Sequence, residues 1–359
     1  MVAITLMACT PSDSGSNTPE QPTKIILLIG DGMGLSSVTT GFYYGEQPSV
    51  FTRFKEIGLQ QTSSAKEKVT DSAASGTAIA TGTKTYNGAV GIDTLLAPHQ
   101  SIAELTASLG WSTGVVASST ISHATPASFY AHVEQRGMED EIALQLLNSE
   151  IDFFAGGGLA KFIARADSSN ILPLAAGNGF LVDTSKLAAP GTLEANQKYG
   201  FLLAMGGMPP MTQGRGDFLP DATKLAISHL SQNQEGFFLM VEGSQIDWAG
   251  HANNTEYLVG EMLDFEKTIA AALDYAEKDG NTLVVVTADH ETGGVAFAAA
   301  TVEGSPYANY AEIEPVYATT GHSATLIPVF AYGPGAENFK GIYQNTEIFH
   351  KMAALVKGE

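Results

Sequence analysis

Lys24-Ile-Ile-Leu-Leu-Ile-Gly-Asp-Gly-Met-Gly34 is a continuous apolar run closed by glycines around a single carboxylate. A run without polar alternation reads as a strand buried on both faces, since a wet face would demand polar residues at every second position. The flanking glycines permit a tight turn and leave Asp31 aimed outward from the strand end. The same pattern recurs at Phe237-Phe-Leu-Met-Val241, followed by Glu242-Gly243, and at Thr282-Leu-Val-Val-Val-Thr287, followed by Ala288-Asp289-His290. Weaker strands are read at 112–117 and 326–332. Between them, apolar residues spaced near 3.6 predict helices over 101–109, 138–147, 221–230 and about 257–277. The alternation predicts an α/β fold, a three-layer sandwich whose central, mostly parallel sheet is covered by helices on both faces. In such folds sites collect at the carboxyl ends of the strands.

The 359 residues carry 18 Lys+Arg against 38 Asp+Glu, a formal net charge of −20. That balance disfavours nucleic acid and anionic lipid as partners. An anionic substrate must therefore be drawn by a local positive site, and metal ions are the compact means of making one. Cys9 is the only cysteine, which excludes intramolecular disulfides and cysteine-based metal sites. No apolar run approaches the roughly 18 residues needed to span a bilayer. Residues 1–22 read as a lipoprotein-like signal remnant, with a Leu-x-Ala-Cys box ending at Cys9, followed by a flexible Ser/Pro/Thr-rich linker. The expectation is a periplasmic or secreted protein anchored through a lipid on Cys9. Residues 23–359 read as one catalytic domain with insertions near 159–220 and 299–320.

Several positions could carry chemistry. Gly30-Asp-Gly-Met-Gly34 departs from the dinucleotide fingerprint, leaving either a solvated turn aspartate or a carboxylate directed at a shared point. Ser72, in Thr70-Asp-Ser-Ala-Ala-Ser-Gly-Thr-Ala78, opens a stretch of small residues that predicts a helix. There it is either an ordinary N-cap or a hydroxyl whose alkoxide the helix N-terminus favours. No local His or Lys stands at a spacing to act as its base, so activation would come from a metal. Asp247 and His251 lie four apart, on one face of a helix, as two ligands of one cation require. Of eight histidines, His123, His251, His290 and His322 stand in loop-like contexts, whereas His99, His132, His229 and His350 read as structural. Three strand-end acids, two Asp/His pairs and a helix-start serine are hard to explain as independent accidents.

From residue 24 to 355 these motifs resemble those of the alkaline phosphatase family, in family order. They are Asp31 in Gly-Asp-Gly-Met-Gly; Ser72 in Thr-Asp-Ser-Ala-Ala-Ser; Thr125 and Arg136 in the segment His123-Ala-Thr-Pro to Arg136; Glu242, Asp247 and His251 in Val-Glu-Gly-Ser-Gln-Ile-Asp-Trp-Ala-Gly-His; Asp289 and His290 in Thr-Ala-Asp-His; and His322 in Thr-Gly-His-Ser. The resemblance implies two Zn2+ and one Mg2+ per subunit. Asp247, His251 and His322 would bind one zinc, Asp31, Asp289 and His290 the second, and Asp31, Thr125 and Glu242 the magnesium. Such donor sets suit these ions: mixed imidazole and carboxylate for zinc with an open position, all oxygen for magnesium.

By the same resemblance the reaction is hydrolysis of phosphate monoesters at alkaline pH through a phosphoserine at Ser72, with Arg136 holding the phosphoryl oxygens. Inorganic phosphate would be a product inhibitor, and the enzyme a homodimer. His123 stands where the best-known bacterial members have an aspartate near the magnesium, and Trp248 where they have a lysine. Both residues look familiar from other branches, and the chain is similar to compact, marine-type members. The alternatives are a phosphodiesterase or nucleotide pyrophosphatase of the same superfamily and, from a different class, a non-catalytic metal- or phosphate-binding lipoprotein. A sulfatase would need a Cys/Ser-x-Pro-x-Arg segment, which the sequence lacks.

Overall fold

A computed structural model describes residues 22–359; the expectations for Cys9 and for most of the linker lie outside the described residues. Ten strands form one sheet in the order Gly341–Gln344, Glu56–Gln61, Ile327–Tyr332, Thr282–Thr287, Lys24–Gly30, Phe237–Gly243, Ser112–Thr120, Phe153–Gly157, Lys198–Leu202 and Phe180–Asp183. Every pairing is parallel except those of Ile327–Tyr332, which runs against both of its neighbours. Lys24–Gly30 lies inside the sheet, and its residues alternate between two cores. Ile25, Leu27 and Ile29 pack on the face covered by helices Ser72–Thr81, Ile102–Ser108, Glu139–Asn148 and Thr346–Lys357. Ile26 and Leu28 pack on the other face, under Leu35–Tyr44, Phe218–Leu230 and the long helix Thr255–Asp279. Two-sided burial is what removes polar alternation from these strands.

Register does the first positioning. Ile29 pairs with Glu242 and with Thr287, and Gly30 pairs with Gly243. Because the strands are parallel, Asp31, Glu242 and Asp289 all emerge at one edge of the sheet. Ala117 pairs with Glu242 from the other side, so the turn carrying His123 and Thr125 reaches the same edge.

The helices read from periodicity are found at Ile102–Ser108, Glu139–Asn148, Phe218–Leu230 and Thr255–Asp279. Ser101 and Glu104 form a reciprocal capping box that fixes the first of these starts. Residues 159–220 contribute two strands to the main sheet, so this segment widens the sheet rather than standing beside it. Much of 299–320 belongs to an antiparallel ribbon that pairs Asn309–Tyr317 with Val295–Ala300.

One polar tie fastens the second face. Arg215 Nη2 lies 2.5 Å from Glu261 Oε2 and 2.8 Å from Asp264 Oδ2, with all three side chains essentially without solvent contact. It joins the chain entering helix Phe218–Leu230 to helix Thr255–Asp279. Desolvation by burial pushes both carboxyl pKa values up, and the Arg215 charge opposes that rise. Removing the cation strands two buried acids, which typically costs about 3 to 5 kcal/mol. Arg215→Met is therefore expected to lower the urea midpoint with an unchanged slope, and a loss under about 1 kcal/mol would contradict this role.

Candidate active site

The turn after the central strand is built from hydrogen bonds that leave one side chain free. Asp31 N–H donates to Gly243 O (3.2 Å), Met33 N–H to Gly30 O (3.0 Å), and Gly32 N–H to Asp289 Oδ1 (3.2 Å). Both carboxylate oxygens of Asp31 are buried with no hydrogen-bond partner. Around them the structure gathers three groups of potential ligands: Asp247, His251 and His322; Asp31, Asp289 and His290; and Asp31, His123 and Glu242.

In the first group His251 Nε2 and His322 Nε2 lie 3.3 and 3.6 Å from Asp247 Oδ1 and 3.2 Å from each other. Their Nδ1 atoms are 2.6 Å from Thr320 O and 2.8 Å from Thr70 O. Donation of Nδ1–H to these carbonyls leaves both Nε2 lone pairs directed at one point. In the second group His290 Nε2 lies 3.4 Å from Asp31 Oδ1 and 3.3 Å from Asp289 Oδ2. His251 is exposed, whereas Asp31, Asp289 and His290 are wholly buried, so the first group forms the mouth and the second the floor.

In the third group Glu242 Oε2 accepts from Ser244 Oγ (2.5 Å) and Ser119 Oγ (3.2 Å), while Oε1 has no partner. Thr125 Oγ1 and His123 Nδ1 are likewise buried and unpartnered, as is Asp289 Oδ2. His123, expected outside the ligand set, thus comes within the group itself, its Nδ1 4.0 Å from Glu242 Oε1. Its Nε2 is 3.0 Å from Arg136 Nη2.

Burial without partners is costly for polar groups and more so for charges. Without a cation, desolvation and neighbouring carboxylates raise the Asp31 pKa well above its usual range, and desolvation pushes Glu242 up to about 7. Desolvation lowers His123 and His290 to about 3, keeping both rings neutral. Unpartnered carboxylate oxygens facing neutral imidazoles are what divalent cations require, so the residues fit metal ions.

Ser72 is the first residue of helix Ser72–Thr81. Small side chains let this helix bury all ten of its residues beneath the site. Ser72 Oγ lies 3.2 Å from His290 Nε2. Asp71 caps the helix through Ala74 N–H (2.9 Å), and its other oxygen accepts from Gly88 N–H and from Arg136 Nη1, both at 3.1 Å. One carboxylate therefore fixes the serine's helix and the arginine together. Trp248 stands edge-on to His123, ring centroids 6.3 Å apart, and packs against Gly207. All twelve positions singled out in the sequence thus come to one edge of the sheet. Sequence reasoning missed the roles of Asp71, Ser119 and Ser244. Asp71 adjoins Ser72 and is a good N-cap type, a signal that could have found it; the others carry none.

A serine at a helix N-terminus, facing clustered carboxylates and imidazoles and sharing an anchor with an arginine fork, is equipped for phosphoryl transfer. The class defined by fold and site is a metal-binding hydrolase of phosphate esters. The alkaline phosphatase family model matches residues 23–316 and 303–357. Alkaline phosphatase 4 of Bacillus subtilis is 34% identical over 93% of this chain and 88% of its own length; the Escherichia coli enzyme is 32% identical over 96% and 88%. The solved alkaline phosphatase of the Antarctic bacterium TAB5 is 52% identical, with a TM-score of 0.92 over 94% of this chain and 99% of its own. A variant of that enzyme with one histidine replaced by aspartate is described with Mg bound in its M3 site. The chain belongs to the alkaline phosphatase family: it is a metal-binding enzyme that hydrolyses phosphate monoesters.

Metal uptake must displace the protons that burial holds on the acids, while the neutral histidines bring none. Adding zinc and magnesium to chelated protein at about pH 6 is expected to release protons from Glu242 and Asp31, with less release from Glu242 by about pH 8.5. Indicator-dye titration reads this directly, and release that rises with pH would contradict it.

Proposed function

We propose that Ser72 carries phosphate covalently during monoester hydrolysis, with two Zn2+ and one Mg2+ held as the family resemblance implies. The observation that carries this reading is Ser72, 2% exposed at a helix N-terminus, with its Oγ 3.2 Å from an imidazole nitrogen that also faces two acids. Asp247, His251 and His322 would hold one zinc, Asp31, Asp289 and His290 the other, and Asp31, Thr125 and Glu242 the magnesium. When bound, these ions supply positive charge to the phosphoryl oxygens and lower the pKa of a hydroxyl or a water. Ser72 Oγ forms the bond to phosphorus as the ester oxygen leaves with a proton. Water then breaks the serine–phosphorus bond and restores the hydroxyl. Arg136, held by Asp71, offers a planar pair of N–H groups to two phosphoryl oxygens in both steps.

Inorganic phosphate presents the same oxygens, so it is proposed as a product inhibitor. A homodimer, and a periplasmic or secreted location with Cys9 lipidated, complete the proposal. The dimer rests on the resemblance and the anchor on the Leu-x-Ala-Cys sequence. A phosphodiesterase reading has less support, because Thr125 and Glu242 supply a third oxygen-rich group that such enzymes generally lack. Parallel assays on a chromogenic monoester and diester test the choice, with preference for the diester counting against the proposal.

Ser72→Ala is expected to retain fold and metals but lose about 10³-fold or more in kcat. Labelled phosphate trapped on Ser75 would overturn the assignment. That outcome is disfavoured because the Ser75 hydroxyl already donates to Asp289 O and accepts from Asn345.

His123 bears on the third ion. While its Nε2 accepts from Arg136, the neutral ring carries its proton on Nδ1 and offers the third group no lone pair. Magnesium is therefore proposed to be weak and exchangeable. The magnesium-bound aspartate variant of the TAB5 enzyme supports this, taking its replaced histidine as the counterpart of His123. His123→Asp is expected to tighten magnesium activation, and superimposable magnesium titrations of variant and wild type would contradict the reading.

A further inference from the structure

Thr292 belongs to no ligand group, yet it touches two of them. It is 1% exposed and sits on the short strand Glu291–Thr292, where it pairs with His322 in an antiparallel ladder. Its N–H donates to Gly32 O (3.1 Å). Its hydroxyl lies 2.5 Å from Asp247 Oδ1, in the first ligand group, and 3.2 Å from His290 Nδ1, in the second. A hydroxyl has one proton to give, and an ionised carboxylate only accepts. Both contacts are hydrogen bonds in a single arrangement: His290 Nδ1–H donates to Thr292 Oγ1, and Thr292 Oγ1–H donates to Asp247 Oδ1. That arrangement leaves the lone pair of His290 on Nε2, the nitrogen facing Ser72, Asp31 and Asp289.

The surroundings hold the threonine in this place. A Cβ on Gly32, whose φ is +73°, would lie 2.8 Å from Thr292 Oγ1; one on Gly250, within the helix that carries Asp247 and His251, would lie 2.8 Å from Thr292 O and 3.0 Å from its side chain. Glycine at both positions makes room for the threonine between the two groups. A β-branched side chain has few rotamers, so its hydroxyl stays directed at its partners.

We propose that Thr292 is a positioning residue that joins the two zinc groups by the ordered chain His290 Nδ1–H to Thr292 Oγ–H to Asp247 Oδ1, so that each group's ligand geometry depends on the other. The inference rests on the two-zinc reading above. Loss of the hydroxyl disturbs Asp247 and His290 together, whereas a residue serving only one group would disturb one. Outer hydrogen-bond partners of metal ligands typically change metal affinity by about 10- to 100-fold.

The test uses the intact enzyme with ¹¹³Cd exchanged into its metal sites, and measures release of zinc to a chromogenic chelator. Thr292→Val keeps the shape and removes the hydroxyl; Thr292→Ala removes the hydroxyl together with the γ-methyl and serves should valine disturb packing. The expected result is displacement of both zinc-site ¹¹³Cd resonances and about 10-fold or faster release of both zinc ions in either variant, with Thr292→Ser close to wild type. Movement of one resonance alone, or of neither, overturns the bridge while leaving the zinc sites standing. A serine variant no better than valine also overturns it. Wild type that takes up no cadmium in these groups overturns the two-zinc reading and the bridge with it.

Discussion

Four carboxylates, Asp31, Glu242, Asp247 and Asp289, meet at one edge of the sheet, and the rest of the site is arranged around that crowding. The hydrophobic core sets it up. Lys24–Gly30, Phe237–Gly243 and Thr282–Thr287, buried on both faces, run parallel under helices and so end at the same edge. Acids placed after strands far apart in sequence then meet in space. Their mutual repulsion is severe in a desolvated setting, and burial drives Asp31 and Glu242 towards holding protons. The three divalent cations proposed above would outweigh the four charges by about two units and would turn an acidic pocket into an attractor for phosphate inside a protein of net charge −20. At physiological salt the surface acids are screened beyond about 8 Å, so the local field governs contact.

Depth divides the work. Exposed His251 and partly exposed His322 lie at the mouth, where the proposed mechanism would have the alcohol leave and water arrive. Ser72 and His290 lie beneath, closed to bulk water. Asp71 ties the serine's helix to Arg136, so the proposed nucleophile and the proposed phosphate-binding fork share one anchor. The histidines at the mouth are oriented by backbone carbonyls, whereas His290 contacts the Thr292 hydroxyl. The geometry of the deep group therefore depends on a side chain that substitution can remove without breaking the backbone.

The central strands were legible because burial on both faces leaves an unbroken apolar run, as in Ile25 to Ile29. The peripheral strands were not. Phe153–Gly157 ends in glycines, Gly341–Gln344 is largely exposed, and the strands at 180–183 and 198–202 are short pieces within a glycine- and alanine-rich stretch. Ile327–Tyr332 was visible as a strand but not as an antiparallel one, because direction is set by its partners at 56–61 and 282–287. The candidate ligand residues were readable as types at strand ends and at helix spacing, and the family motifs grouped them into the sets that are proposed above. Thr292, Ser119 and Ser244 were invisible because a hydroxyl acquires its role from what folds against it, and no spacing along the chain records that.

The central claim is that the unpartnered acids and imidazoles are metal ligands on which monoester hydrolysis depends. Anomalous X-ray scattering from crystals of the protein as purified, recorded on both sides of the zinc edge, tests it most directly. The account predicts zinc signal within the Asp247–His251–His322 and Asp31–Asp289–His290 groups, and its disappearance from crystals of chelated enzyme that no longer hydrolyses a phosphate monoester. Full hydrolysis by enzyme whose crystals show no metal in either group would contradict it.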